Sequence, residues 1–353
     1  MEKRFSRALL LCPEKYSLYN SIYDILSEIS QTVTACDINT LITKSDLKIN
    51  SQIFRLPYKI RNKWEAYFLE RTNRTLLEII NESNPDLILV YNSVFLLPET
   101  CSLMKKRSKL LFFMGDSPFY TPQNNYYLAC LSHADLILSP DTFWNQQLNT
   151  IGLNKTMYFI PGPDGKSFHK INNLARDSGD VETEILYVGS SYLNSWGYKK
   201  ALLMSRFTGF SFKIYGNSAW KRWLSFFPDL EAVYQESGFI PQERLNRMFN
   251  MTKLIPVDGN PGIINGIHLR LFESLAAGAL PLIEYRYDVD NLLFKDFKED
   301  LPLIRDYSKA VDLASWYLKH DQDRSELASS MYNYLSREYS APANAGRLAE
   351  ALL

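Results

Sequence analysis

The chain has few of the residues that announce chemistry on their own. Its 353 residues include only four histidines and four cysteines. Cys12, Cys36, Cys101 and Cys130 lack the paired spacing of a zinc site, and in a reducing compartment they read most simply as buried thiols. No His-x-Glu cluster offers a metal centre. An excess of one charge is missing too, since 39 Lys and Arg stand against 39 Asp and Glu. That balance argues against the broad basic field that nucleic-acid binding requires. No apolar run approaches the ~20 residues of a membrane span. Behind the basic amino terminus the apolar stretch lasts only from Ala8 to Cys12 before Pro13 and Glu14, which reads as a first strand and not a signal peptide. A cytoplasmic protein is therefore expected. That strand runs into Cys12-Pro13-Glu14-Lys15 and not a Gly-x-Gly-x-x-Gly turn, which disfavours an NAD-dependent dehydrogenase. Internal repeats, heptads and low-complexity tracts are absent.

What is present is alternation. Strand-like runs near 7–12, 32–37, 87–91, 109–114, 136–139 and 157–160 are separated by helical periods, the longest over 62–83. This predicts an α/β fold with parallel sheets covered by helices on both faces. The length favours two domains. Residues 161–181 are rich in Pro, Gly, Asn, Asp and Ser without an apolar period, so we expect an N-terminal Rossmann-like domain over 1–165, a linker over 166–181 and a second Rossmann-like domain over 182–323. Residues 324–353 have helical composition broken near Pro342.

The most informative stretch is Asn265-Gly266-Ile267-His268-Leu269-Arg270-Leu271-Phe272-Glu273-Ser274-Leu275-Ala276-Ala277-Gly278-Ala279-Leu280-Pro281-Leu282. It joins a glycine-bearing loop, a short amphipathic helix and a buried strand. Gly266 permits close backbone approach at the helix start, where unpaired N–H groups and the dipole favour an anion such as a diphosphate. Arg270 adds a planar charge that matches phosphate oxygens. Gly278 is placed to end the helix.

This segment resembles the donor-site signature of GT-B glycosyltransferases of the "group 1" type, and within them the CgeB-like branch. Glu184-Ile185-Leu186-Tyr187-Val188-Gly189-Ser190 is similar to the first strand and glycine turn of that family's donor domain. Phe212-Lys213-Ile214-Tyr215-Gly216-Asn217-Ser218-Ala219-Trp220 is similar to its second strand and turn, and Gly238-Phe239-Ile240-Pro241 with a helix from Gln242 continues the order. Pro161-Gly162-Pro163-Asp164 with Phe168 resembles the inter-domain turn.

The resemblance implies two Rossmann-like domains facing across a cleft, a C-terminal helix that crosses back to the first domain, and transfer of a sugar from a nucleotide diphosphate sugar to an acceptor hydroxyl. A UDP-sugar is the expected donor. No metal or other cofactor is expected, because the helix dipole and basic side chains neutralise the leaving diphosphate. Glu273 occupies the position of the second family glutamate, which accepts hydrogen bonds from the donor ribose. The first glutamate is replaced by Asn265, which can hydrogen-bond but cannot accept a proton near neutral pH. Arg270 would clamp the diphosphate with the backbone of Gly266 and Ile267. His268 would touch phosphate or sugar, with a catalytic part open to it, or merely cap the helix. Gly189, Ser190, Tyr215, Gly216, Asn217, Phe239 and Ile240 lie at strand ends where the nucleotide would bind, and each could equally be an ordinary turn.

Asp116 follows the apolar run Leu110–Met114, so its carboxylate should emerge at a strand end as a general base for the acceptor. Asp before Ser-Pro is also an ordinary turn or capping residue. The run Trp220-Lys221-Arg222-Trp223-Leu224-Ser225-Phe226-Phe227 leaves peripheral contact with the inner face of a membrane open beside plain packing. The acceptor could be a glycan, a lipid carrier, a protein or a small molecule, and the oligomeric state is open. Two alternatives stand beside the transferase: a non-catalytic GT-B binding or scaffold subunit, which the Asn265 replacement makes thinkable, and a sugar-nucleotide epimerase.

Overall fold

The computed structural model describes residues 3–50, 52–92, 95–119, 126–172, 183–260 and 262–353. The chain divides into two compact units, Met1–Pro161 with Ala341–Leu353, and Gly162–Ser340. Part of the expected linker, 173–181, lies outside the described residues, and 166–172 are counted with the second unit. The helix Asp321–Glu338 is also part of that unit, so of the carboxyl-terminal segment the helix Ala341–Ala351 joins the first.

The first unit holds six strands: β1 (Phe5–Leu11), β2 (Ser30–Cys36), β3 (Leu87–Tyr91), β4 (Lys109–Phe113), β5 (Leu136–Ser139) and β6 (Thr156–Tyr158). All pair in parallel, in the order β2-β1-β3-β4-β5-β6. The central strands are continuous apolar runs, Leu87-Ile88-Leu89-Val90 and Leu110-Leu111-Phe112-Phe113, because helices cover both faces and leave no side for polar residues. The helix Ala341–Ala351 packs against the helix Leu18–Ile29, and Asn344 donates to the Ile160 carbonyl at 3.0 Å.

The second unit repeats the plan with β7 (Thr183–Val188), β8 (Phe212–Gly216), β9 (Tyr234–Glu236), β10 (Thr252–Val257), β11 (Leu280–Glu284) and β12 (Leu303–Ile304). Its parallel order is β12-β11-β10-β7-β8-β9. The chain winds outward from β7 through β8 to β9, then returns to the other side of β7 as β10. In each sheet the strand order therefore reverses beside the first strand, between β1 and β3 and between β7 and β10. Loops diverge at such a point and open a crevice beyond the carboxyl ends of the strands.

Local chemistry fixes the helix ends that matter. The helix Arg270–Ala277 stops at Gly278, whose φ of 89° is left-handed and returns its N–H to the Leu275 carbonyl. Asn194 caps the helix Ser195–Met204 by accepting from the Trp196 N–H. Among the described residues no helix is long and apolar enough to cross a membrane.

Candidate functional site

A cavity of about 280 Å³ lies at the reversal point of the second sheet. Its walls come from residues that end β7 and β10: Val188, Gly189 and Ser190 on one side, Val257, Asp258 and Asn260 on the other. Lys200, His268 and Arg270 complete the polar lining. Such a position, set by strand order alone, is where doubly wound sheets take ligands.

Lys200, Asp258 and Arg270 of the lining take part in two ion pairs, the first buried and the second partly buried. Lys200 is 4% exposed and its Nζ lies 3.0 Å from Asp258 Oδ2. The same ammonium donates to the Tyr187 hydroxyl at 2.6 Å, and that hydroxyl donates to Asp258 Oδ1 at 2.9 Å. Burial, then the Asp258 charge, pushes the Tyr187 phenol well above its ordinary range, so it stays a donor. In the second pair, Arg270 Nε sits 3.0 Å from Glu273 Oε2, one turn along the helix. The guanidinium also donates to the Val188 carbonyl at the end of β7 and lies 5.5 Å from the centre of the buried Phe249 ring. Both cations are thus held before any ligand arrives.

His268 accepts the Arg270 backbone N–H at Nδ1, 3.1 Å away. Burial, with the positive charges of Arg270 and Lys200, pushes its pKa down to about 3. The ring is neutral at physiological pH. With Nδ1 accepting, the neutral tautomer carries its proton on Nε2 and acts as a donor without adding charge.

The loop before Arg270 is pinned from behind. Arg286 donates to the carbonyls of Ile263 and Ile264, each at 3.2 Å, and the Asp288 N–H donates to the Asn265 carbonyl at 2.9 Å. Arg286 is itself held by Glu284 at 2.6 Å, which also receives Lys199 and, at 2.5 Å, the Tyr307 hydroxyl. Burial alone would raise the Glu284 carboxyl, but Arg286 and Lys199 prevail and hold it at about 2.

Of the residues expected from sequence, Gly189, Ser190, His268 and Arg270 line the cavity. Glu273, 9% exposed, stands behind Arg270. Asn265 is half-buried, and Gly266 and Ile267 are buried, in the loop that leads to the helix. The turn after β8 is a clasp: Asn217 accepts the Ser191 N–H at 2.9 Å and donates to the Ser191 carbonyl at 3.2 Å. Gly216 is pressed so closely on Gly189 that an added Cβ would stand 2.5 Å from its carbonyl oxygen. Trp220 seals that contact by donating to the same oxygen at 2.9 Å. Tyr215 is buried, Ile240 half-buried and Phe239 75% exposed, and these three stand outside the cavity lining.

Asp116 belongs to the first unit, just beyond β4. Asn92, just beyond β3 with φ of 45°, donates its side-chain amide to Asp116 Oδ2 at 2.5 Å. Tyr16, Tyr91 and Tyr127 surround the carboxylate closely enough that its charge adds to burial in raising all three phenols. Tyr16 and Tyr91 meet edge to face with centres 5.6 Å apart. Among the described residues there is no cluster of three or more His, Cys, Asp or Glu able to hold a metal ion.

Sequence reasoning overlooked Lys200, Asp258 and the Glu284–Arg286 support. Asp258 directly follows β10, a position the strand-end rule singles out. Lys200 sits inside a helix and carries no local signal.

Residues 199–350 match the glycosyl transferase-like family. No curated protein matches the chain by sequence. Among solved structures the chain is similar to the sucrose-phosphate synthase of Thermosynechococcus elongatus, with TM-score 0.65, 9% identity and 98% of each chain covered. It is similar to the E. coli trehalose-6-phosphate protein bound with UDP-2-fluoro glucose, with TM-score 0.62, 11% identity and 98% of this chain and 99% of that one covered. Anabaena HepE in complex with UDP-glucose gives TM-score 0.59 at 10% identity, covering 98% of this chain and 99% of that one. At these identities the likeness is one of fold. The family match is confined to residues 199–350, and over the whole chain what is shared with these structures is the two-domain fold.

Proposed function

We propose that the protein is a glycosyltransferase that moves a sugar from a nucleotide diphosphate sugar, of the UDP-sugar class, to an acceptor hydroxyl. The observation that carries this reading is the position of Arg270. The residue that the sequence signature offers as a diphosphate clamp lines a cavity at the reversal point of the second sheet, at the start of the helix Arg270–Ala277.

Breaking the bond between sugar and diphosphate adds one more negative charge to the leaving diphosphate. Arg270, Lys200 and the helix start would meet that charge with positions already fixed by Glu273, Val188, Asp258 and Tyr187, so little reorganisation is needed as charge develops. Neutral His268 would donate from Nε2 to phosphate or sugar. Glu273 would accept from the ribose. With two cations and a helix dipole available, the reaction is proposed to need no metal. On the first unit Asp116 would take the acceptor proton, oriented by the Asn92 amide. We place the chain nearest the CgeB-like branch, on the segments quoted above, and in the cytoplasm.

A thermal-shift series with UDP-, GDP-, dTDP-, CMP- and ADP-sugars tests this, with donor hydrolysis followed by mass spectrometry in the same wells. Ligand at a hundred times its dissociation constant contributes about 2.7 kcal/mol of stability, a shift of a few degrees. A shift confined to UDP-sugars and abolished in Arg270→Ala supports the donor assignment. An altered sugar nucleotide formed without acceptor would mark an epimerase, and binding without turnover against any acceptor would mark a scaffold subunit.

A further inference from the structure

The first unit carries an exposed surface that neither sheet nor core explains. The helix Tyr58–Ser83 is 26 residues long, yet its fully buried residues begin only at Phe68. Before that point Trp64 is half-buried against the cluster of Ile42, Phe68 and Leu69, while most of its neighbours on the helix are exposed. Tyr58 is 65% exposed, Ile60 52% and Tyr67 55%. The preceding helix Lys44–Asn50 and the stretch leading to Pro57 add exposed Leu47, Ile49 and Leu56. These pieces form one surface, since the turn Ile53–Arg55 packs against both helices and Arg71 is ion-paired with Asp46.

Charge separates this surface from the rest of the chain. Between residues 44 and 67 there are six Lys and Arg against two Asp and Glu, in a chain whose totals are equal. Lys44, Lys59 and Lys63 are exposed beside the apolar residues. A protein partner would favour a patch centre depleted of lysine. Exposed Leu, Ile and Tyr interleaved with lysines match a surface that sinks apolar side chains to headgroup depth while ammonium groups rise to meet anionic phosphates. The Trp220–Phe227 run is the poorer candidate. Trp220 and Trp223 are buried, and Lys221 is bridged to Glu236 at 2.6 Å.

We propose that residues 44–67 dock the protein onto an anionic lipid bilayer. The surface lies wholly in the first unit, so the proposal stands apart from the donor chemistry of the second.

The test is co-sedimentation of the full chain with extruded phosphatidylcholine vesicles containing about one quarter phosphatidylglycerol, against pure phosphatidylcholine, at low and high salt. Binding to the anionic vesicles only, weakened by salt, is expected. The triple variant Leu56→Ser, Tyr58→Ser, Ile60→Ser and the double variant Lys59→Glu, Lys63→Glu should each lose at least about tenfold in partitioning. Phe226→Ser, on the other unit, should bind as the parent does. All the substituted positions are exposed, so unchanged thermal unfolding checks that the variants fold. Absence of binding, equal binding to neutral vesicles, or undiminished binding by the triple variant overturns the proposal. So does a dimer in lipid-free solution that the triple variant disperses, which would assign the patch to a second copy of this chain.

Discussion

The carboxyl ends of the two sheets are furnished differently. At the second sheet, carboxylates are answered by cations: Asp258 by Lys200, Glu273 by Arg270, Glu284 by Arg286 and Lys199. At the first sheet, Asp116 is held by an amide and ringed by phenols. Paired charges keep cations fixed in a partly dry site, ready for a ligand that brings negative charge of its own. A carboxylate whose close neighbours are neutral can take a proton from a hydroxyl placed beside it. The proposed function assigns an anionic donor to the second unit and a neutral acceptor to the first.

Removing the carboxylate at the first sheet should have the largest effect. Asp116→Asn is expected to lower the transfer rate by about a hundredfold to ten-thousandfold while calorimetry finds donor binding unchanged. If donor affinity fell in parallel, Asp116 would not be a base and the contrast would fail.

Next comes Lys200→Met, which leaves Asp258 buried without its cation. Denaturant unfolding should show a loss of about 3–5 kcal/mol. The paired variant Lys200→Met, Asp258→Asn should recover part of it. No recovery would mean the pair is not coupled.

Arg270→Ala should weaken nucleotide binding by about 1.5–3 kcal/mol, read by calorimetry. The change should also lower stability, because Glu273 loses the cation beside it. A double-mutant cycle with Glu273→Ala should return a coupling of about 0.5–3 kcal/mol. Strict additivity would show that Glu273 does not orient the guanidinium.

The smallest effect concerns pH. His268 is pushed from 6.5 to about 3 in the folded chain. Below pH 6.5 the unfolded chain therefore binds a proton that the folded chain refuses, and stability declines as pH falls. Glu284, lowered from 4.5 to about 2, adds a second loss below pH 4.5. Each group contributes a slope of at most about 1.4 kcal/mol per pH unit. His268→Gln should flatten the curve between pH 6.5 and 4.5 and leave only the Glu284 slope below that.

Much of the fold is legible in the chain because strands buried on both faces leave a plain trace. The expected strand at 87–91 is β3, and that at 136–139 is β5. The helix expected over 62–83 begins four residues earlier, at Tyr58, because Pro57 supplies a start that an apolar period cannot reveal where the helix buries nothing. The short strand β9, with exposed Gln235 and Glu236, left no apolar trace and went unnoticed.

The site was legible only where a backbone requirement showed in the sequence. Gly278 is a helix stop because only glycine accepts its left-handed φ cheaply. Gly189 and Gly216 mark close approach of two strand ends. Sequence by itself thus determined the alternation, the loop–helix–strand of 265–282, and the presence of Arg270 and Glu273 one turn apart. Only the tertiary structure decided that Lys200, Asp258 and Tyr187 meet, and that Arg286 holds a loop more than twenty residues before it. The reason is range. Periodicity and caps act within a turn or two of helix, whereas an ion pair in a buried site depends on which strand lies beside which, and that order is fixed only when the sheet closes.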